Sequence, residues 1–264
     1  GFDPNTQQQR GTLTVTGGRV FFGLGGLAGD CGTYHGYVVG YPETGSGTET
    51  WWASAELDSN DNEGAVWAPG GESVDGSGNI YASTGNSNHG SSGDAYDYSD
   101  GVIKLRASDL ALLDYFAPSG LSDSTHDGGN TWYQDNAGDV DLGSTTPLQL
   151  PNNRVFIVGK SGMGYLIDGT NLGHVSGGLA SHQVCTATND AVFGSLAYAL
   201  VGGVETVYIG CSGSDGTKAV QIAGSNNNFS VSSIFNGAGR SNKPPTVAGN
   251  LVWAVGGSTL YGMN

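Results

Sequence analysis

The chain has 264 residues, 47 of them glycine, and a formal net charge of −15 from 24 acidic against 9 basic side chains. Such a balance excludes nucleic acid and anionic membrane surfaces as partners that bind by phosphate neutralisation. No apolar run reaches the length of a bilayer span and no charged-then-apolar leader opens the chain, so membrane insertion is not expected.

Taken in chain order, a turn-forming residue five times leads into a short β-branched or aromatic strand. The five are Gly18-Arg19-Val20-Phe21, Gly78-Asn79-Ile80-Tyr81, Asn153-Arg154-Val155-Phe156, Glu205-Thr206-Val207-Tyr208 and Asn250-Leu251-Val252-Trp253. The intervals between the central residues are 60, 75, 52 and 45, the irregular period of propeller blades with loop insertions. The expectation is an all-β chain, a single β-propeller domain over 1–264 built of four-stranded antiparallel blades, about five of them visible. Arg106 to Leu113 has some helical character but fits a polar turn between strands equally well. The chain opens on Gly1 and reaches Val20 without an evident opening blade, which reads as a processed or excised chain lacking N-terminal blades.

Cys185 precedes the fourth recurrence and Cys211 follows its strand. Neighbouring strands of one blade would then bring them within bridging distance. A Cys185 to Cys211 disulfide would close a loop of about 25 residues and stabilise by roughly 3 kcal/mol in the chain-entropy picture. Cys31 remains, either a buried thiol or the partner of a cysteine in a missing segment; its acidic neighbour Asp30 argues against a catalytic thiolate.

Two acidic loops follow the first recurrence. Asp58, Asp61 and Glu63 offer alternating oxygen ligands for calcium, without the glycine and distal glutamate of an EF-hand. Asp94, Asp97 and Asp100 lie among Ser, Gly and Tyr in the second, and a solvated acidic loop is the competing reading of both. Asn228-Phe229-Ser230 is a glycosylation sequon on an apparent polar turn, meaningful only in a eukaryotic source. The glycine-rich run Gly23 to Gly29 lacks the Gly-Lys-Ser/Thr ending and the helix of a phosphate loop.

The segment Gly29-Asp30-Cys31-Gly32-Thr33-Tyr34-His35-Gly36-Tyr37 resembles the bacterial-type quinoprotein-like propellers built from pyrroloquinoline-quinone (PQQ) repeats. So do Glu63-Gly64-Ala65-Val66-Trp67, Thr84-Gly85-Asn86, Asp139-Val140-Asp141-Leu142-Gly143-Ser144 and Gly159-Lys160-Ser161-Gly162-Met163-Gly164-Tyr165. The resemblance runs from about Gln8 to the C-terminus. It implies seven or eight blades when complete, with a partner chain or upstream blades closing the ring. PQQ-dependent alcohol dehydrogenases of this architecture hold the quinone between a Trp floor and a disulfide of adjacent cysteines, and calcium with a Glu, Asn and Asp set. This chain has no adjacent cysteine pair and no Cys-x-x-Cys-His haem signature, and Tyr37 stands where the family often has Trp. The resemblance therefore does not bring the quinone with it, and no cofactor is assured.

A ligand site is expected in the funnel at one end of the propeller axis, where loops of several blades converge. Arg10 and Lys160 are candidates to bind an anionic group, Asp30, Glu63 and Asp141 to bind a cation or accept protons, His35 to act as acid or base, and Trp67 to stack on a ring. Each has a plain structural alternative: Asp141 as a turn cap, Lys160 as the partner of a neighbouring blade's carboxylate, His35 as a packing residue. The Asp139 and Asp141 spacing suits a shared cation or a shared basic partner on one strand face. The functional expectation is a secreted or extracellular module, periplasmic or at the cell surface, binding or scaffolding a protein or glycan partner without catalytic turnover. The alternatives are a quinone- or calcium-dependent oxidoreductase or carbohydrate-active enzyme using the funnel, and a structural subunit of an extracellular assembly.

Overall fold

The structure, a computed structural model, describes residues 2–28, 30–57, 59–175, 177–187, 189–224, 227–235 and 243–264. Five antiparallel sheets follow one another along them. In blade 1, Gln7–Gln9 pairs with the end of Arg19–Gly26 and Thr14–Thr16 with its beginning, so the two short strands act as one interrupted strand; Tyr37–Pro42 and Thr50–Ala53 complete the sheet. Blade 2 is Ser73–Val74, Ile80–Ser83, Val102–Leu105 and Leu112–Phe116. Blade 3 is Leu148–Leu150, Arg154–Val158, Met163–Asp168 and Ala180–Gln183. Blade 4 is Ala197–Val201, Val204–Cys211, Gly216–Ala223 and Asn228–Phe235, and a three-stranded sheet of Thr246–Ala248, Leu251–Gly256 and Thr259–Met263 comes last. Each of the five sequence recurrences lies in the strand that continues its blade after the opening turn.

Alternation along those strands explains how the blades stack. Ile80 and Ala82 join Phe21 and Val38 in the core between blades 1 and 2, while Tyr81 points the other way into the core shared with Val155, Ile157 and Ile167 of blade 3. Phe156 and Val158 face blade 4, meeting Val207, Ile209 and Val220, and Tyr208 faces Val252 of the last sheet. A strand between two blades must be apolar on both faces, so Ile80–Ser83 and Arg154–Val158 are buried throughout. Blade 1 is covered on one face only: Phe21 and Val38 are fully buried, whereas Trp51 is 57% and Val15 61% exposed. The outer face carries an apolar groove of about 580 Å³ lined by Phe22, Leu24, Tyr37, Val39 and Trp51, with Glu49 and Glu56 among its walls.

Arg106 to Leu110 forms the turn between two strands of blade 2, with Leu110 at a φ of 56°. Among the described residues the α-helix is elsewhere, at Trp132–Gly138, entered through Thr131, whose amide donates to the Gln134 Oε1. That Thr-x-x-Gln spacing is a capping box, legible in the sequence. Cys185 and Cys211 are bonded, with Cα atoms 5.6 Å apart. The bond joins two blades instead of two strands of one: Cys185 follows the last strand of blade 3 and Cys211 ends a strand of blade 4. Cys31 is exposed, not buried. Asn228 opens a strand instead of a turn, and its Oδ1 accepts from the His182 Nε2 at 2.6 Å.

Because the disulfide closes a separation of 26 residues across the interface of blades 3 and 4, its reduction should cost roughly 3 kcal/mol, read as a lowered urea midpoint. Glu72 supplies a second test. It is buried between blades 1 and 2, and burial pushes its pKa up to about 7 against a smaller pull from its own amide and the Thr14 hydroxyl. Below the unfolded value of 4.5 both states hold the proton. As pH rises from there to about 7 the unfolded chain ionises first, so the Glu72 contribution to stability falls across that window by on the order of 3 kcal/mol and is level above it. Glu72→Gln should reduce the difference in unfolding free energy between about pH 4 and about pH 8 by that amount relative to wild type, since Glu63 and Asp100 keep their own shares.

Candidate functional site

Where the connections between blades 1, 2, 3 and 4 converge there is a cavity of about 250 Å³. Its walls include Gln8, Arg10, Asp30, Trp67, Asn86, Asp139, Asp141, Lys160, Asp190 and Phe193. Glu63 and Gly64 take φ values of 74° and 66° and turn the chain so that Gly64 N donates to Asn86 O and Gly85 N donates to Ala65 O. This brings Trp67 alongside the end of a blade 2 strand. Asp139 ends the helix in the left-handed conformation, at a φ of 51°, and Lys160 N donates to Asp141 O, which seats blade 3 against the same segment.

The Lys160 ammonium lies 2.5 Å from the Asp141 Oδ2 and 2.7 Å from the Asp139 Oδ1. The two aspartates thus share one basic partner, though from a helix end and a turn and not from a strand face. Burial alone pulls the Lys160 pKa down, yet Asp141 and Asp139 hold it above its ordinary value, so the ammonium stays charged. Trp67 carries the Arg10 guanidinium 4.8 Å from its ring centre, Lys160 at 5.7 Å, and the Phe193 ring at 6.1 Å. Burial, and then Asp30, Asp141 and Asp139, push the Glu63 carboxyl up to about 7. Behind the wall, Asp100 is fully buried, takes the Leu142 amide on Oδ1 at 2.9 Å, and is driven well above the carboxylate range by burial, Asp141 and Asp135.

Five of the expected site residues therefore line one cavity: Arg10, Asp30, Trp67, Asp141 and Lys160. Glu63 adjoins it, its Oε2 accepting from the Asn86 Nδ2 at 3.2 Å. His35 does not line it; its Nδ1 donates to the Ala55 carbonyl at 2.7 Å, and its ring meets Tyr37 edge-on. Asn86, Asp190 and Phe193 also line the cavity, without being candidates on sequence grounds. Asn86 belongs to the Thr84-Gly85-Asn86 motif, whereas nothing local distinguishes the other two. Of the calcium candidates, Asp61 accepts from Leu57 N and pairs with the His89 Nε2 at 2.6 Å, Glu63 accepts from Asn86, and Asp58 lies outside the described residues.

The family resemblance implies a quinone and calcium at walls of this kind. Glu63, Asn86 and Asp141 are the residue types of the calcium set, and Asn86 links the carboxylates by donating its amide N to Asp141 Oδ1 at 2.7 Å. But Asp141 is engaged by Lys160, and among the described residues no three His, Cys, Asp or Glu side chains converge to hold a metal ion. Arg10 lies against the ring that would be the quinone floor, and the sequence has no adjacent cysteines for a roof. The residues as arranged fit neither group.

No protein-family model and no curated protein matches the chain. Among solved structures it is similar to a quinohemoprotein alcohol dehydrogenase of Pseudomonas putida HK5, at 12% identity over 92% of this chain and 48% of that one, with a TM-score of 0.54. It is also similar to the extracellular domain of a one-component system of B. thetaiotaomicron (10% identity, 99% and 30% covered, TM-score 0.53) and to a europium-containing methanol dehydrogenase (13%, 94% and 44%, 0.50). The chain spans less than half the length of each. What the chain shares with them is the fold, a β-propeller of four-stranded antiparallel blades.

Gly85 packs between two of the cavity's walls. A Cβ there would lie 2.6 Å from the Asp141 Oδ1 and 2.9 Å from the Trp67 Nε1. Gly85→Ala should therefore cost about 1–3 kcal/mol of stability and shift the tryptophan emission, read by denaturation and fluorescence.

Proposed function

We propose that the protein is a binding propeller that works outside the cytoplasm and takes the end group of a glycan in its axial cavity. One observation carries this reading. A half-buried indole, Trp67, stands in a polar cavity of about 250 Å³ among the amides of Gln8 and Asn86 and the carboxylates of Asp30 and Asp190. The Arg10 guanidinium lies over the Trp67 ring, so the wall offered to a ligand is an indole with a guanidinium on it, and the planar hydrogen-bonding groups around them suit the hydroxyls of a sugar. The cavity is below the range of drug-sized sites, which suits one or two sugar rings. The interblade disulfide supports an oxidising compartment, and no described helix is long and apolar enough to cross a membrane.

A second reading, assembly, is favoured by the open faces at the two ends of the row of blades. Blade 1 exposes Trp51 beside the groove, and the last sheet exposes Val255 at 41% and Leu260 at 61%. Apolar sheet faces of this kind suit another sheet, as part of a larger ring or a larger complex.

Titration calorimetry against a panel of soluble oligosaccharides tests the first reading. At least one should bind, and Trp67→Ala should weaken it by roughly tenfold or more. A panel with no binder would remove the glycan reading. Native mass spectrometry tests the second: a defined complex is expected if the open faces are partnered, and a bare monomer at micromolar concentration would count against it.

A further inference from the structure

We propose that Lys160 is the resident cation of the axial cavity, filling with its ammonium an oxygen cage that would otherwise take a hard divalent ion. The ammonium has three N–H donors, and three oxygens meet it: Asp141 Oδ2 at 2.5 Å, Asp139 Oδ1 at 2.7 Å and the Asp139 backbone carbonyl at 3.2 Å. Two carboxylates and a carbonyl converging on one point are a set of hard-cation ligands, the kind that calcium collects. The Lys160 and Asp141 side chains are 9% and 5% exposed, so that pair is held out of bulk water, while the Asp139 side chain, 70% exposed, closes the cage from the solvent side. A buried carboxylate needs a positive charge beside it, and a tethered lysine supplies one that cannot dissociate.

The consequence is a cavity that needs no metal to form and has little use for one. With Lys160 in place, an arriving divalent ion must displace an ammonium that is bonded on all three of its donors. Without it, the buried Asp141 is left uncompensated beside the solvent-facing Asp139, with Asn86 and Glu63 on the adjoining wall. This inference stands apart from the glycan reading, because it concerns the charge of the cavity and not its ligand.

The experiment is terbium titration of the whole chain, with indole excitation. Trp67 lies 5.7 Å from the Lys160 ammonium, close enough to sensitise an ion at that place. The wild-type protein is expected to give no saturable sensitised emission, and calcium is expected not to raise its melting temperature. Lys160→Met keeps the length of the side chain and removes its charge. It should bind terbium saturably, at least tenfold more tightly than wild type, with calcium competing and raising the melting temperature. Saturable emission from wild type that is lost in Trp67→Phe would overturn the proposal, as would a folded Lys160→Met protein that binds neither ion. If Lys160→Met does not fold alone, restoration of its fold by calcium or terbium supports the proposal, and failure of both ions to restore it overturns it.

Discussion

The ion pair of Lys160 with Asp141 is the contact on which the centre of the molecule depends. Asp141 takes the Asn86 amide from blade 2 on one oxygen and the Lys160 ammonium from blade 3 on the other. The next residue, Leu142, gives its amide to the buried carboxyl of Asp100. One aspartate thus ties two blades and their connecting segment at a place where burial alone would make a carboxylate costly. The pair sits at a desolvation cost that an apolar contact would avoid, and what it provides in return is position: Asn86 and Asp139 are bonded to it, and the Trp67 ring stands 5.7 Å from the ammonium. The Gly85 backbone between Asp141 and Trp67 has no side chain because the two come too close to admit one.

The repeat was legible because its cause is local and recurs. Each blade needs a central strand with apolar residues on both faces, and each such strand needs a tight turn before it, so Val20, Ile80, Val155, Val207 and Val252 announce five sheets in advance. The disulfide was legible as a pair, since Cys185 and Cys211 flank one recurrence, but its placement between blades was not. Sequence shows which strands lie near a cysteine; it does not show that the chain leaves blade 3 before Cys185 and returns through blade 4 at Cys211. The helix at Trp132–Gly138 was missed because an apolar period cannot be read over seven residues. Its signal was in the cap, Thr131 and Gln134, and not in the period.

The site was legible in part for a different reason. Arg10, Trp67, Asp141 and Lys160 are charged or aromatic residues set among glycines and small side chains, where the backbone must bend and polar groups have room to face a cavity. That argument has no way to separate a funnel residue from one whose bonds are made inside a blade. His35 sits in the same kind of motif, yet its ring is bonded to Ala55 and packed on Tyr37. Nor does a motif reveal which loops will converge. Asp190 and Phe193 reach the cavity from the connection between blades 3 and 4, and the stretch around them carries no distinctive pattern. The acidic loop around Asp61 reads as a ligand set because its carboxylates alternate, but folding sends Asp61 to His89 and Glu63 to Asn86.

Ligand binding and assembly draw on different parts of the molecule, and this bears on how the two readings relate. The cavity walls come from blades 1 to 3 and the connection to blade 4, whose interfaces are filled by continuous apolar cores. The open faces lie at blade 1 and at the last sheet, and the last sheet contributes no wall to the cavity. The face of blade 1 that carries the apolar groove is the one turned away from blade 2, since Phe22, Tyr37 and Val39 alternate with the buried Phe21 and Val38. A sheet docked there would bury Trp51 without touching Trp67, Asp141 or Lys160. The charge pattern of the cavity is therefore fixed within the chain, and a partner at either end would add walls around it without rebuilding its floor.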